Sequence, residues 1–340
     1  MSEIIPLRLA DGRGVIVPES PEELYLETTN RCNLRCRTCP QYFGMPEEDA
    51  DLTPDGVRRI VSQFPSVRRV VLHGVGEPLL NRELPKIIAA AKERGAYVLF
   101  NTNGLLLRPP LTERIVESGL DELRVSIDSA SPETYKLVRG ANGFDRIVRN
   151  VRRFAETKAA LGSATPRVSL WITGLQSNVL ELPQLVQLAS NVGVAEVYLQ
   201  RLVYSERGLA VQEEALFGRA EGRELAAVRE AEELAVALGV TLRGSGEARG
   251  QDVLPENAGG SYRDCWRPWK LMYVTANGNV LPCCISPFTG VEYETILLGN
   301  IFQQTAEEIW NGQPYQAWRA GMLQGCPPDA CANCGAGWSL

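Results

Sequence analysis

The 340-residue chain has a single histidine, His73, which excludes any metal site built from several imidazoles. It has no run of about 18 consecutive apolar residues, the least that a membrane-spanning helix needs. Its first residues, MSEIIPLRLADGRG, carry neither a basic leader nor a long apolar stretch. The expected location is the cytoplasm, with no membrane as a partner. Positive charge is also short, with 35 Lys and Arg against 41 Asp and Glu and a formal net charge of −6. Nucleic-acid binders rely on clustered Lys and Arg to displace counterions, so no nucleic acid is expected as a partner either. A disulfide framework is excluded in turn, because a reducing compartment keeps thiols free and a chain with 44% hydrophobic residues can bury a sizeable core without staples.

What is there in quantity is cysteine, and it is clustered. Cys32, Cys36 and Cys39 stand in TTNRCNLRCRTCP with spacing C-x3-C-x2-C. No other cysteine occurs before Cys265, after which come Cys283, Cys284, Cys326, Cys331 and Cys334. Cysteines used as small core hydrophobes would scatter along the chain. Two groups this far apart point to metal ligation.

Between the groups, strand-like and helix-like segments alternate. EELYLETT reads as a strand and TPDGVRRIVSQF as a helix with Thr53 as N-cap and Pro54 in its first turn, followed by the strand VRRVVLHG. ELPKIIAAAKERG, AYVLFNTNG, LTERIVESG, LDELRVSID, FDRIVRNVRRFAETKAAL, RVSLWITG, ELPQLVQLASNVG and AEVYLQRL continue the series. Six such units predict an α/β fold with a parallel sheet curled into a partial (β/α)6 TIM-like barrel, with functional residues at the carboxyl ends of its strands. The expected divisions are an N-terminal extension at 1–21, the barrel with a trailing helix at 22–245, and a small cluster-binding domain of β-hairpin and helix at 246–340.

The first strand runs directly into the three-cysteine loop, so those thiols should stand at the barrel mouth. Three thiolates on a four-iron, four-sulfur cluster leave one iron open to a small molecule. The pattern C-x3-C-x2-C resembles the signature of the radical S-adenosylmethionine (SAM) enzymes. In that family the open iron chelates SAM, and an electron from the cluster cleaves SAM to a 5'-deoxyadenosyl radical. HGVGEP resembles the family's Gly-Glu-Pro segment, which implies that Gly74, Gly76 and Glu77 surround the SAM amino group, with glycine allowing backbone to approach the ligand. NTNG and SID, at the ends of the next two strands, resemble positions that meet the SAM carboxylate and ribose, implicating Asn101, Asn103, Ser126 and Asp128. WITG resembles the stretch whose apolar residue packs on adenine, here Ile172. One departure is Thr38, where the family usually has an aromatic residue that contacts adenine; Tyr42 or Phe43 is expected to take over.

In the second group, WRPWKLMYVTANGNVLP reads as a hairpin turning at its Asn-Gly, which brings Cys265 and Cys283 together. CPPDACANC supplies Cys331 and Cys334 at C-x2-C, a common ligand spacing. The segment resembles the auxiliary-cluster domain called SPASM, or its shortened form called twitch. With six cysteines rather than seven, the resemblance implies one auxiliary [4Fe-4S] cluster on Cys265, Cys283, Cys331 and Cys334. Four thiolates suit zinc equally well. Cys284 and Cys326 are left over, as a buried thiol, a substitute ligand or a hydrogen-atom donor. His73 is expected near the cluster, and Arg201, Tyr204 and Glu206 are candidate substrate contacts, Arg201 through its guanidinium fork.

Four protein ligands would leave the auxiliary cluster free to accept an electron but not to chelate substrate, so the expected reaction is oxidation, a dehydrogenation, of a small molecule. The alternatives are an epimerase in which a spare cysteine returns a hydrogen atom, a peptide-modifying maturase, and a zinc and iron-sulfur scaffold without catalysis. A flavodoxin or ferredoxin is the expected reductant. Anaerobically reconstituted protein should hold about eight irons per chain, from two four-iron clusters. Changing Cys32, Cys36 and Cys39 together to alanine should leave about four, and full iron retention in that variant would remove the N-terminal loop from consideration.

Overall fold

Residues 12–44, 46–203, 205–216, 220–244, 265–331 and 334 are described by the computed structural model of the chain. The expected helix starts are in place. Thr53 accepts a hydrogen bond from the Gly56 amide at 3.0 Å, with Pro54 as the first helical residue of α1 (Pro54–Val61). Between β1 (Glu23–Leu26) and β6 (Glu196–Arg201) come β2 (Arg69–Leu72), α2 (Leu84–Lys92), β3 (Tyr97–Thr102), α3 (Leu111–Glu117), β4 (Glu122–Ser126), α4 (Pro132–Arg139), α5 (Phe144–Ala160), β5 (Arg167–Gly174) and α6 (Leu182–Asn191). The helices bury one face on the sheet, through Val57 and Ile60 of α1, Ile87 and Ile88 of α2, Ile147, Val151 and Phe154 of α5, and Leu185 and Val186 of α6. Alternation of strand and crossover helix makes each of these strands parallel to the next.

The sheet extends beyond the six expected strands at both ends. The glutamate-rich helix forms as α7 (Gly222–Leu238), closed by a capping box of Glu221 and Glu224, and then leads into a seventh parallel strand, β7 (Thr241–Gly244). On the other side, α8 (Arg267–Lys270) precedes β8 (Leu271–Val274), which pairs parallel with β1, followed by β9 (Asn279–Leu281) and β10 (Gly299–Asn300). The order is β10-β9-β8-β1-β2-β3-β4-β5-β6-β7, an open sheet rather than a closed barrel. The C-terminal hairpin, turning at Asn277 and Gly278 as its sequence predicts, thus continues the same sheet that carries the first thiol loop. The remaining helices are α9 (Ala306–Trp310) and α10 (Gln313–Gln324). None of the helices among the described residues is long and apolar enough to cross a membrane.

Two carboxylates fix the hairpin to the end of β1. Glu47 accepts from Thr275, Asn277, Asn279 and Tyr293, so one side chain collects donors from the whole hairpin region. Glu27, which follows β1, accepts from the Val75 amide at 2.8 Å and the Ala276 amide at 3.2 Å. A third anchor is Arg319, wholly buried on α10, which donates to Pro268 and Val15 carbonyls and packs against the rings of both Trp310 and Tyr315. Burial lowers its pKa to about 10.

Desolvation raises the Glu27 carboxyl to about 7, although its backbone hydrogen bonds oppose the shift. The folded chain therefore keeps this proton where the unfolded chain has lost it. The stabilisation is complete below the ordinary carboxylate pKa and is lost as pH rises through about 7. Denaturant titrations at pH 5 and pH 8 should show this group contributing a loss of about 3 kcal/mol on going to the higher pH. Glu27→Gln should flatten the slope by that amount; identical slopes would contradict the assignment.

Candidate cofactor site

The carboxyl ends of β1 to β6 surround one cavity of about 180 Å³ that opens to solvent. Cys32, Cys36, Cys39, Thr38 and Leu34 line it from the first loop. That loop is held from three directions by backbone hydrogen bonds. The Arg37 amide donates to Val138 on α4 at 2.9 Å, the Leu209 amide donates to the Arg37 carbonyl at 2.8 Å, and the Glu77 amide donates to the Arg31 carbonyl at 2.8 Å. Among the described residues no three His, Cys, Asp or Glu side chains converge on a point fit for a single ion; the three thiols surround a space instead.

Burial pushes the Cys32 thiol to about 11 and the Cys39 thiol to about 12. At neutral pH such thiols are poor nucleophiles, and they become thiolates when a metal centre displaces the proton. The chemistry of the donor set therefore fits a thiolate-ligated cluster. In the second group, Cys265, Cys283, Cys331 and Cys334 are partly buried; burial first, and the nearby Cys283 sulfur second, push up the Cys265, Cys331 and Cys334 thiols, and Arg267 beside them opposes the rise. Cys326 is exposed and does not line the cavity. Cys284 is buried, and it does line the cavity, together with Ile285 and Phe288.

The glycines before Glu77 line the cavity as expected, but contacts inside the protein already require them. A Cβ on Gly74 would lie 2.3 Å from the Glu27 side chain, and one on Gly76 would lie 1.9 Å from the Thr29 carbonyl oxygen. Glu77 is 2% exposed. Its carboxylate accepts from Thr102 Oγ1 at 2.7 Å, the Asn103 amide at 2.7 Å and the Leu79 amide at 3.1 Å. A carboxylate has about four acceptor sites, so one remains for a cavity ligand. Desolvation raises its pKa. Asn103 also reaches back to Asn33 in the thiol loop at 2.8 Å, while Asn101 and Ser126 line the cavity wall.

Asp128 sits at φ 58°, in the left-handed region that Asp tolerates better than most residues. It pairs with Arg139 at 2.8 Å and accepts from the Thr173 amide at 2.7 Å, and its carbonyl accepts from Asn178. Arg139 was not singled out by the sequence, yet it lines the cavity and donates to Cys36 Sγ at 3.6 Å. It is one of two basic residues in the last turn of α4, and nothing local distinguishes it from Lys136.

The remaining residues singled out by the sequence divide between the cavity wall and other places. Ile172 is buried in the core and is not among the cavity residues; its neighbour Thr173 is, because successive strand residues face opposite ways. Tyr42 and Phe43 form an exposed edge-to-face pair and leave the cavity to Thr38 and Leu34. Arg201 lines the cavity with Gln200, Leu202 and Val203, whereas Glu206 is exposed in a left-handed turn, and Tyr204 lies outside the described residues. His73 lines the cavity too, and desolvation together with Arg124 lowers it to about 4, so it is neutral at pH 7.

Glu77→Ala would leave three buried donors without their acceptor. A loss of about 3 kcal/mol or more in denaturant stability is expected, together with weaker SAM binding by calorimetry at unchanged iron content. Unchanged SAM affinity would separate Glu77 from the ligand site.

Residues 26–160 match the radical SAM superfamily, and residues 265–335 match an iron-sulfur cluster-binding domain, SPASM. A PqqA peptide cyclase from Granulibacter bethesdensis is 24% identical over 323 residues, covering 93% of this chain and 80% of that protein. Among solved structures, Streptococcus suis SuiB bound to S-adenosylmethionine has a TM-score of 0.68 at 18% identity, covering 94% of this chain and 73% of SuiB. SuiB bound to the precursor peptide SuiA gives 0.65 at 18%, covering 88% and 67%. At such identity these structures establish a shared fold. The thiol loop, the ends of β1 to β4 and the C-terminal thiol group fall within the two matched regions, and the chain is a radical SAM protein that binds a [4Fe-4S] cluster and SAM and carries a SPASM-type auxiliary cluster domain.

Proposed function

We propose that this enzyme modifies a peptide by removing a hydrogen atom from a residue held between the first thiol loop and residues 284–288. The observation that carries this reading is coverage: a peptide cyclase relative aligns along nearly the whole chain, through the barrel and the C-terminal thiol group. When bound, the cluster and SAM supply a 5'-deoxyadenosyl radical, the species that takes the hydrogen atom.

The chain's own residues bind, orient and exclude water. Cys32, Cys36 and Cys39 are the proposed ligands of the first cluster, and Cys265, Cys283, Cys331 and Cys334 those of the auxiliary one. Gly74, Gly76, Glu77, Asn101, Asn103, Ser126 and Asp128 form the SAM side of the cavity in this reading, and Gln200 and Arg201 the substrate side. Ile285 and Phe288 cover the cavity with apolar surface, which keeps water from the reacting centre. The barrel unit is taken as 22–245 and the auxiliary-cluster unit as 246–340, with 1–21 an extension. All nine cysteines are free, which suits a reducing cytoplasm with a flavodoxin or ferredoxin as electron source.

A second reading, epimerisation, is favoured by one observation: Cys284 lines the cavity while Cys326 does not. A thiol there can return a hydrogen atom to a substrate radical. The experiment uses the reconstituted enzyme, SAM, a low-potential reductant and the short peptides encoded beside its gene, in heavy water. A peptide lighter by two hydrogens supports oxidative modification. An unchanged peptide framework carrying one solvent deuterium, lost with Cys284→Ala, would replace it by epimerisation. 5'-Deoxyadenosine that no peptide stimulates would return the substrate to small molecules, and none at all would leave a scaffold.

A further inference from the structure

Beside the cluster loop lies a buried ion pair whose cation faces a thiol. Arg139 is 8% exposed and Asp128 3% exposed. The guanidinium extends one arm to Asp128 at 2.8 Å and the other to Cys36 Sγ at 3.6 Å. Its position is set from both sides. Asp128 is itself pinned by the Thr173 amide, and the end of α4 presses on the thiol loop so closely that a Cβ on Gly140 would lie 2.7 Å from the Arg35 carbonyl. The remaining polar atom of the group, Nε, is buried without a partner. An arginine held this tightly cannot swing away when the charge beside it changes.

We propose that Arg139 is a positioning residue that sets the reduction potential of the first cluster, by donating to the Cys36 sulfur and holding a fixed positive charge against it, with Asp128 as its moderating counter-charge. The inference rests on Cys32, Cys36 and Cys39 being the cluster ligands. Reduction adds one electron to a centre already carrying three thiolates. A cation 3.6 Å from one of those sulfurs favours the more negative, reduced state. The carboxylate on the far side of the guanidinium opposes this in part.

The two partners therefore carry opposite signs, which a merely structural role would not. The test is an electron paramagnetic resonance titration of anaerobically reconstituted full chain without SAM. The first cluster's signal is identified as the one absent from the Cys32, Cys36 and Cys39 triple-alanine variant; a triple variant with undiminished iron would overturn the ligand assignment itself. Arg139→Met should lower the ratio of reduced to oxidised first cluster at least tenfold at fixed potential, about 59 mV for one electron, and Arg139→Lys should restore part of it. Asp128→Asn should raise the ratio. If Arg139→Met loses the cluster's iron, Asp128→Asn decides alone: a raised ratio supports the proposal, and an unchanged or lowered one overturns it. With iron retained, equal ratios in all variants, or shifts of the same sign in Arg139→Met and Asp128→Asn, also overturn it while leaving the ligand assignment standing.

Discussion

Bringing three half-buried thiols to the wall of one cavity is the constraint on which the rest of this structure depends. Burial alone would keep Cys32 and Cys39 protonated, so the loop that carries them gains little by itself from closing over a cavity. It is held closed by other elements. Val138, Leu209 and Glu77 each fix its backbone, and these residues belong to α4, to the chain after β6 and to the chain after β2. A parallel sheet makes this arrangement available, because it brings the carboxyl ends of distant strands to one edge.

The same constraint accounts for the polar residues buried at that edge. Glu77 and Asp128 are costly to bury as free carboxylates, and each is compensated by donors from a neighbouring strand end, Thr102 and Asn103 for Glu77 and the Thr173 amide for Asp128, with Arg139 of α4 pairing with Asp128 as well. Each carboxylate therefore acts as a tie between neighbouring strand ends before it acts on any ligand. Removing one would disturb both the cavity and the fold, which is why measurements that separate iron content, binding and stability are needed to divide its roles.

The elements that were legible in the sequence are those whose signals are local. Helix starts such as Thr53 and Pro54, the alternation of strands and helices, the thiol spacing and the Asn-Gly turn of the hairpin all follow from residues within a few positions of one another. The short strand β7, with Arg243 and Gly244 in four residues, has no such signature. Nor does the pairing of β8 with β1, which joins residues from opposite ends of the chain. Ile172 and Thr173 illustrate a finer limit, since a shift of one residue along a strand exchanges core for cavity. Arg139 was missed because its significance comes from its partners, Asp128 and Cys36, and not from its place at the end of α4.

The pairing of β8 with β1 has a consequence for chemistry. It carries the hairpin to the rim of the barrel, so that the chain leaving β9 passes Cys283, in the second thiol group, and then Cys284, in the cavity wall. One peptide unit therefore joins a residue of the second thiol group to a residue of the cavity wall. Tyr25 of β1 interacts with Cys284 from behind, so the strand that leads into the first thiol loop also supports this wall. The cavity wall is thus contributed by the chain segments of both thiol groups, Cys32, Cys36 and Cys39 from one and Cys284, Ile285 and Phe288 from the other. The continuous sheet, rather than a linker between separate units, is therefore the element that fixes the distance between the two thiol groups.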